Sequence, residues 1–182
     1  MMKETGADCA SSSLFNVLVG LPQYPTMKDL LAAYPYPNII VVKKLDKPTL
    51  LAYLEQNASF FSMDDNKNIV ITPSFVYPKK QLFNYDMIDG IEYTMDISKP
   101  VGQRITHCTF KGQPLNDNTV IRCALNNYRS VGGGDFAMIA NAPLGYDTGK
   151  DMMTLLVDAL TSKQTIQVNH TNNITIIASE HQ

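Results

Sequence analysis

The chain has 182 residues, 45% of them hydrophobic, and a formal net charge of -2, enough apolar material for one sizeable core and too little length for a second domain of equal size. No run of Lys or Arg exceeds the pairs Lys43-Lys44 and Lys79-Lys80, so nothing marks a surface for duplex nucleic acid. No apolar run reaches the roughly 18 residues of a membrane span, and the opening MMKETGAD lacks the apolar centre of a signal peptide.

From the N-terminus, MMKETGADCASSSLFN enters Gly6-Ala7-Asp8 with no capped helix or complete strand ahead of it, so Met1 reads as a cut boundary or internal start rather than a natural terminus. Ser11-Ser12-Ser13 offers hydroxyls, but there is no GxSxG elbow and no His at a spacing that marks a base; a polar loop or strand edge is the better reading. TMKDLLAAY predicts a first helix from the N-cap Thr26, stopped by Pro35. Asn38 to Leu45 is β-branched and suits a buried strand. KPTLLAYLEQNASFF predicts a second helix, with Pro48 in its first turn and Leu50, Leu51, Leu54 and Ala58 on one face.

Beyond the polar loop at Asp64 to Lys67, short extended runs are expected at Asn68–Thr72, Leu82–Tyr85, Ile91–Ile97 and Arg104–Phe110, and a strand from Thr119 to Leu125 leads into a Gly-rich segment. A third helix is expected from Lys150 to Leu160 and a last strand at Asn173–Ala178. Helices interspersed with mostly antiparallel strands, rather than alternating as βαβ units, predict an α+β fold: a single domain with a mixed, mainly antiparallel sheet and about three helices.

Cys9, Cys108 and Cys123 show no CxxC spacing and read as isolated buried thiols. His107, His170 and His181 lie far apart, with no HExxH or DxH motif, so no metal site is expected within the chain. His107 reads as a strand residue and the other two as solvated. Gly132-Gly-Gly-Asp lacks the Lys-Ser/Thr of a phosphate loop. What remains is Asn126-Asn-Tyr-Arg-Ser-Val-Gly-Gly-Gly-Asp-Phe136, where glycines permit close backbone approach and Tyr128 could stack on a planar base. On residue chemistry alone it is either an ordinary loop, the commoner case, or one wall of a ligand site.

The string NNYRSVGGGDF, with YDMIDGIEYTMDISKPVGQRI upstream, closely resembles the C-terminal domain of the 5'-nucleotidase family, especially its 2',3'-cyclic-nucleotide 2'-phosphodiesterase/3'-nucleotidase branch. GADCASSSLFN, TMKDLLAAYPYPN and LLAYLEQNASFF follow in that family's order, so the likeness covers nearly the whole chain. The resemblance implies a substrate-binding domain over residues 1–182 that clamps a nucleobase between two aromatic rings, here Tyr36 and Tyr128. Asn126, Gly132, Gly133 and Gly134 complete the implied site, with Ser12, Ser13, Asn16 and Asp135 as further contact candidates.

Departures from the family pattern accompany the likeness. The 5'-nucleotidase branch reads GGDG with its Asp on the ribose, whereas GGGD here puts Gly134 at that position and Asp135 one residue later. Ser11-Ser-Ser-Leu-Phe-Asn16 stands where the nucleotidase branch has Asn-Gly-Gly-x-Arg, which points to the cyclic-phosphodiesterase branch, and Asn173-Ile174 replaces Asn-Trp.

The resemblance further implies that hydrolysis uses two divalent metal ions in a separate N-terminal metallophosphoesterase domain, with DxH and GNHE motifs that this chain lacks. The implied partners are nucleosides or nucleotides and that N-terminal domain. The implied parent is an extracellular, cell-wall or periplasmic bacterial hydrolase, with this chain inactive alone. The alternative is a stand-alone, non-catalytic interaction module.

Overall fold

The computed structural model of the protein describes residues 1–162 and 172–179, so the expectations for His170 and His181 lie outside the described residues. The chain opens on a one-turn helix, α1 (Met2–Thr5), closed by Gly6 at φ 62°, a left-handed conformation that glycine adopts without steric cost. The expectation of no capped helix before Gly6 is therefore corrected. Strand β1 (Cys9–Ser13) follows, so the serine run is a strand rather than a loop.

Helix α2 (Met27–Ala33) starts on Thr26 with the expected capping box: Thr26 Oγ1 accepts from Asp29 N while the Asp29 carboxylate accepts from Thr26 N. Strand β2 (Ile39–Asp46) passes directly into α3 (Lys47–Ala58), because Asp46 ends the strand and caps the helix, accepting from Thr49 N at 2.9 Å. Strands β3 (Phe61–Met63) and β4 (Ile69–Ile71) form a small hairpin.

The expected extended run at Leu82–Tyr85 is instead a 3-10 turn at Leu82–Asn84, followed by β5 (Asp86–Asp89). Local propensity yields here to tertiary bonds, since Asn16 Oδ1 accepts from Leu82 N and Asn16 Nδ2 donates to Lys80 O. The remaining elements are β6 (Glu92–Asp96), β7 (Ile105–Phe110), β8 (Gln113–Pro114), β9 (Val120–Asn126), α4 (Asn127–Ser130), α5 (Ala137–Asn141), β10 (Leu144–Asp151), α6 (Met152–Thr161) and β11 (Ile174–Ile177). The third predicted helix thus begins two residues later, capped by Asp151, and an unexpected strand occupies the approach to it.

The strands form a five-stranded sheet in the order β10-β2-β9-β1-β5, a four-stranded sheet β11-β6-β7-β8 and the hairpin. The β1–β9 and β11–β6 pairs are parallel and the others antiparallel, in line with the expected mixed, mainly antiparallel α+β architecture. The five-stranded sheet is covered on both faces. Leu45, Ile121, Cys123 and Leu125 pack with Tyr53 and Leu54 of α3 on one side, and Ile40, Val42 and Ala124 with Met152 and Leu155 of α6 on the other. This double burial is why β2 reads as a continuous apolar run rather than alternating. Cys9 lies opposite Cys123 in the parallel pair, so these two buried thiols are neighbours rather than isolated. His107 lies on β7, exposed.

At the end of β6, Asp96 accepts from Ser98 N, Ser98 Oγ and Ser179 N, tying down the chain beyond β11. Burial opposes ionisation of this carboxyl, but the hydrogen bonds outweigh it and hold Asp96 well below the usual carboxylate range. A lowered folded-state pKa gives stability that is present above the unfolded-chain value of about 3.9 and is lost as pH falls through the lower folded value. In an acid titration followed by amide exchange, Ser179 should stay protected down to about pH 4 and lose protection only below it; loss near pH 6 would contradict this anchor.

Candidate functional site

Four segments distant in sequence converge at one end of the five-stranded sheet, and the topology dictates it. β2 is antiparallel to β9, with Ile40 opposite Asn126, so the residues just before β2 and just after β9 emerge side by side. β1 runs parallel to β9 and ends at the same edge, delivering Phe15. β5 pairs antiparallel with β1, Ser13 opposite Asp86, so the turn that precedes β5 brings Phe83 to that edge as well. Asn127 Oδ1 accepts from Ile39 N at 3.2 Å, joining the segment before β2 to the start of α4.

At this edge lies a cavity of about 290 Å³ lined by Ser13, Phe15, Tyr36, Asn38, Phe83, Asn126 and Tyr128, at the small end of the roughly 300–1,000 Å³ typical of small-molecule sites. Its rings form two groups. Phe15 lies 5.2 Å from Tyr34 and 5.5 Å from Tyr36, while Phe83 meets Tyr128 edge-on at 6.5 Å. Tyr36 and Tyr128 are each almost half exposed, at 44% and 45%, in a protein whose other cavity-side aromatics are covered more fully. The lining carries no charged side chain.

Beneath the cavity sits a buried ion pair. Arg129 and Asp86 have side chains only 1% exposed and meet in a bidentate fork, Arg129 Nε donating to Asp86 Oδ2 at 2.7 Å and Nη2 to Oδ1 at 2.8 Å. Ser13 Oγ donates to Oδ1 at 2.6 Å and Tyr53 OH to Oδ2, so the carboxylate accepts four hydrogen bonds. Burial, then the adjacent Asp86 charge, push the Tyr53 phenol far above its usual value, which keeps it a donor. With its proton given to Asp86, Tyr53 accepts from Ser11 Oγ at 2.6 Å. Asn57 Oδ1 accepts from Asp86 N at 2.8 Å. The other edge of the guanidinium donates to the carbonyls of Phe83, at 2.7 Å, and Gly133, and its face lies 3.9 Å from the Phe136 ring centre.

The glycines lie behind this wall rather than on the cavity lining. A Cβ on Gly133 would sit 2.5 Å from Tyr128 Cζ, and one on Gly134 would sit 2.1 Å from Asn84 Oδ1 and 2.6 Å from Arg129 Nη1. Gly134 also has φ +72°. Of the other residues singled out from sequence, Tyr36, Tyr128, Asn126 and Ser13 come together on the cavity. Ser12 points away from Ser11 and Ser13 by strand alternation, Asn16 holds the 80–82 backbone, and Asp135 is exposed with φ 69°.

Phe15, Asn38 and Phe83 also line the cavity, and the pair Asp86 and Arg129 supports it, without having been singled out from sequence. Arg129 stands next to Tyr128 and Asn38 two residues from Tyr36, but an isolated Arg or Asn ordinarily reads as solvated. The group of His, Cys, Asp or Glu side chains that a metal ion would need does not occur among the described residues.

Removing one member of the pair leaves a buried charge alone, so Asp86→Ala and Arg129→Met should each cost about 3–5 kcal/mol in urea unfolding. Gly134→Ala should destabilise more than Gly133→Ala, because strained backbone is added to the clash. Equal effects would show that the loop relaxes freely.

The family model for the 5'-nucleotidase C-terminal domain matches residues 1–141. The chain is 30% identical over 120 residues to the 2',3'-cyclic-nucleotide 2'-phosphodiesterase/3'-nucleotidase of Salmonella typhimurium, covering 59% of this chain and 18% of that protein. It is 26% identical over 153 residues to the protein of the same description from Yersinia enterocolitica, covering 76% and 23%. Among solved structures, a protein described as a 5'-nucleotidase from Staphylococcus aureus, in complex with alpha-ketoglutarate, superposes with a TM-score of 0.91 at 29% identity, covering 97% of this chain and 34% of that one. The chain thus spans about a fifth to a third of these relatives, which are nucleotide-processing hydrolases by description. With residues 1–141 of 182 matched, the chain belongs to the family of 5'-nucleotidase C-terminal domains.

Proposed function

We propose that this chain is the base-recognition domain, over residues 1–182, of a metal-dependent phosphoesterase that hydrolyses 2',3'-cyclic nucleotides, nucleoside monophosphates or both, with the base held between Tyr36 and Tyr128. The observation that carries the reading is that these two half-exposed rings, from segments far apart in the chain, line one cavity of about 290 Å³ without a charged side chain. Such a cavity suits a neutral planar group and makes no provision for a phosphate, which would project outward.

In this reading Ser13 and Asn126 flank the base, Gly132, Gly133 and Gly134 shape the wall behind Tyr128, and Ser12, Asn16 and Asp135 meet only a ligand that extends past the cavity. The parent protein would carry a separate N-terminal metallophosphoesterase domain and act outside the cytoplasm; among the described residues no helix is long and apolar enough to cross a membrane. Two divalent ions in that other domain would supply Lewis-acid chemistry and an activated water. The residues described here do not fit such a centre, and in this reading cleavage belongs to that other domain while this chain contributes binding.

A second reading, a non-catalytic interaction module, draws on the exposed apolar stretch of Val17, Leu18, Val19, Leu21 and Tyr24 beside α2. Calorimetric titration of the chain with adenosine separates the two. Weak but saturable binding is expected. Tyr36→Ala and Tyr128→Ala should each weaken it by about 1–3 kcal/mol, and the Phe substitutions should retain it. No heat at millimolar adenosine would leave the module reading standing.

A further inference from the structure

Asn126 is only 8% exposed and yet lines the cavity. Its Oδ1 accepts from Arg129 N at 2.7 Å as the cap of α4. Flipping the amide would set its NH2 against that N–H, donor against donor, so the orientation is fixed. Arg129 cannot move to relieve the clash, because its guanidinium is held by Asp86 and the carbonyls of Phe83 and Gly133. Nδ2 is therefore the part of the amide left for the cavity, and among the described residues nothing accepts from it. Among the described residues the side-chain atoms buried with no partner are Asn57 Nδ2, Asn84 Oδ1 and Tyr93 OH, so Asn126 Nδ2 is open to the solvent of the cavity, where a ligand acceptor can take the place of water.

Of the other polar groups on the lining, the Ser13 hydroxyl and the Asn38 NH2 are already engaged. Ser13 Oγ donates to Asp86 and lies 3.3 Å from Arg129 Nη2, and Asn38 Nδ2 donates to the Tyr34 hydroxyl at 3.1 Å.

We infer that Asn126 is a donor-only specificity residue that reads a hydrogen-bond acceptor on the edge of the bound ring; this rests on the base-recognition reading above. The ligand class is an aromatic heterocycle with an unprotonated ring nitrogen or a carbonyl at its edge. Every nucleobase has such an acceptor, so the contact is compatible with broad base tolerance while excluding rings that lack one. The cap fixes which way the amide points, and the cavity uses what the cap leaves over.

The test uses the 182-residue chain and its Asn126→Asp variant, which keeps the capping oxygen and the side-chain shape but replaces the donor by an acceptor. Each is titrated with adenosine and with 1-deaza-, 3-deaza- and 7-deazaadenosine. For the unaltered chain, one analogue should bind about tenfold more weakly than adenosine. Asn126→Asp should bind adenosine about tenfold more weakly and no longer discriminate that analogue, with its Tm close to that of the unaltered chain. Undiminished adenosine binding by Asn126→Asp, or equal binding of all three analogues by the unaltered chain, overturns the inference while leaving base recognition intact. Absence of adenosine binding by the unaltered chain overturns base recognition itself, and this inference with it. The analogue series on the unaltered chain decides the matter even if the variant fails to fold.

Discussion

A guanidinium buried as completely as that of Arg129 can persist only where a counter-charge and several acceptors surround it, and the edge of the five-stranded sheet is organised around meeting that demand. Asp86 supplies the charge from the start of β5 and the carbonyls of Phe83 and Gly133 supply acceptors from two loops. Ser13 and Tyr53 fill the carboxylate's remaining positions. Ser13, Tyr53, the 83–86 stretch and Arg129 with its own loop are far apart in the chain, so the pair specifies how β1, β5, α3 and the Gly-rich loop meet. Hydrophobic burial holds the sheet between its two apolar layers, but it does not say how the loops at the sheet's end should be arranged. The ion pair does.

The division of labour at that edge is clear in its chemistry. Charge lies below, fully satisfied, and the surface above it is neutral and aromatic. Aromatic faces bind planar rings with little regard to sequence, and amides add direction without adding charge. The fold itself is compatible with many activities, so a functional reading has to rest on this local arrangement of rings and amides and not on the likeness of the scaffold.

Much of the architecture was legible in the sequence because it follows from short-range rules. The capping box at Thr26 and Asp29, the β-branched run of β2 and the Pro-initiated α3 each announce themselves. What escaped did so for identifiable reasons. Asp86 and Ile88 are the inward residues of β5, but an Asp at an inward position hides the alternation that would have marked a strand. β10 runs Leu-Gly-Tyr-Asp-Thr-Gly-Lys-Asp, mostly exposed at the sheet's edge and interrupted by register shifts, so it has no apolar face to reveal it. Tyr36 and Tyr128 were found through a family likeness; Phe15, Phe83 and Asn38 were not, because only the strand order brings them to the same place.

The sharing of Arg129 between two walls bears on how this site can change over generations. The carbonyls of Phe83 and Gly133 hang from the same guanidinium, so a shift in one wall is transmitted to the other. Substitutions there would be strongly non-additive, and loss of the Arg would be tolerated most readily where the Asp at position 86 became neutral in step. The rings that face outward are free of that obligation. Residues at positions 36 and 128 can be exchanged singly for other planar side chains, which leaves the lining open to retuning while the arrangement beneath is inherited as a block.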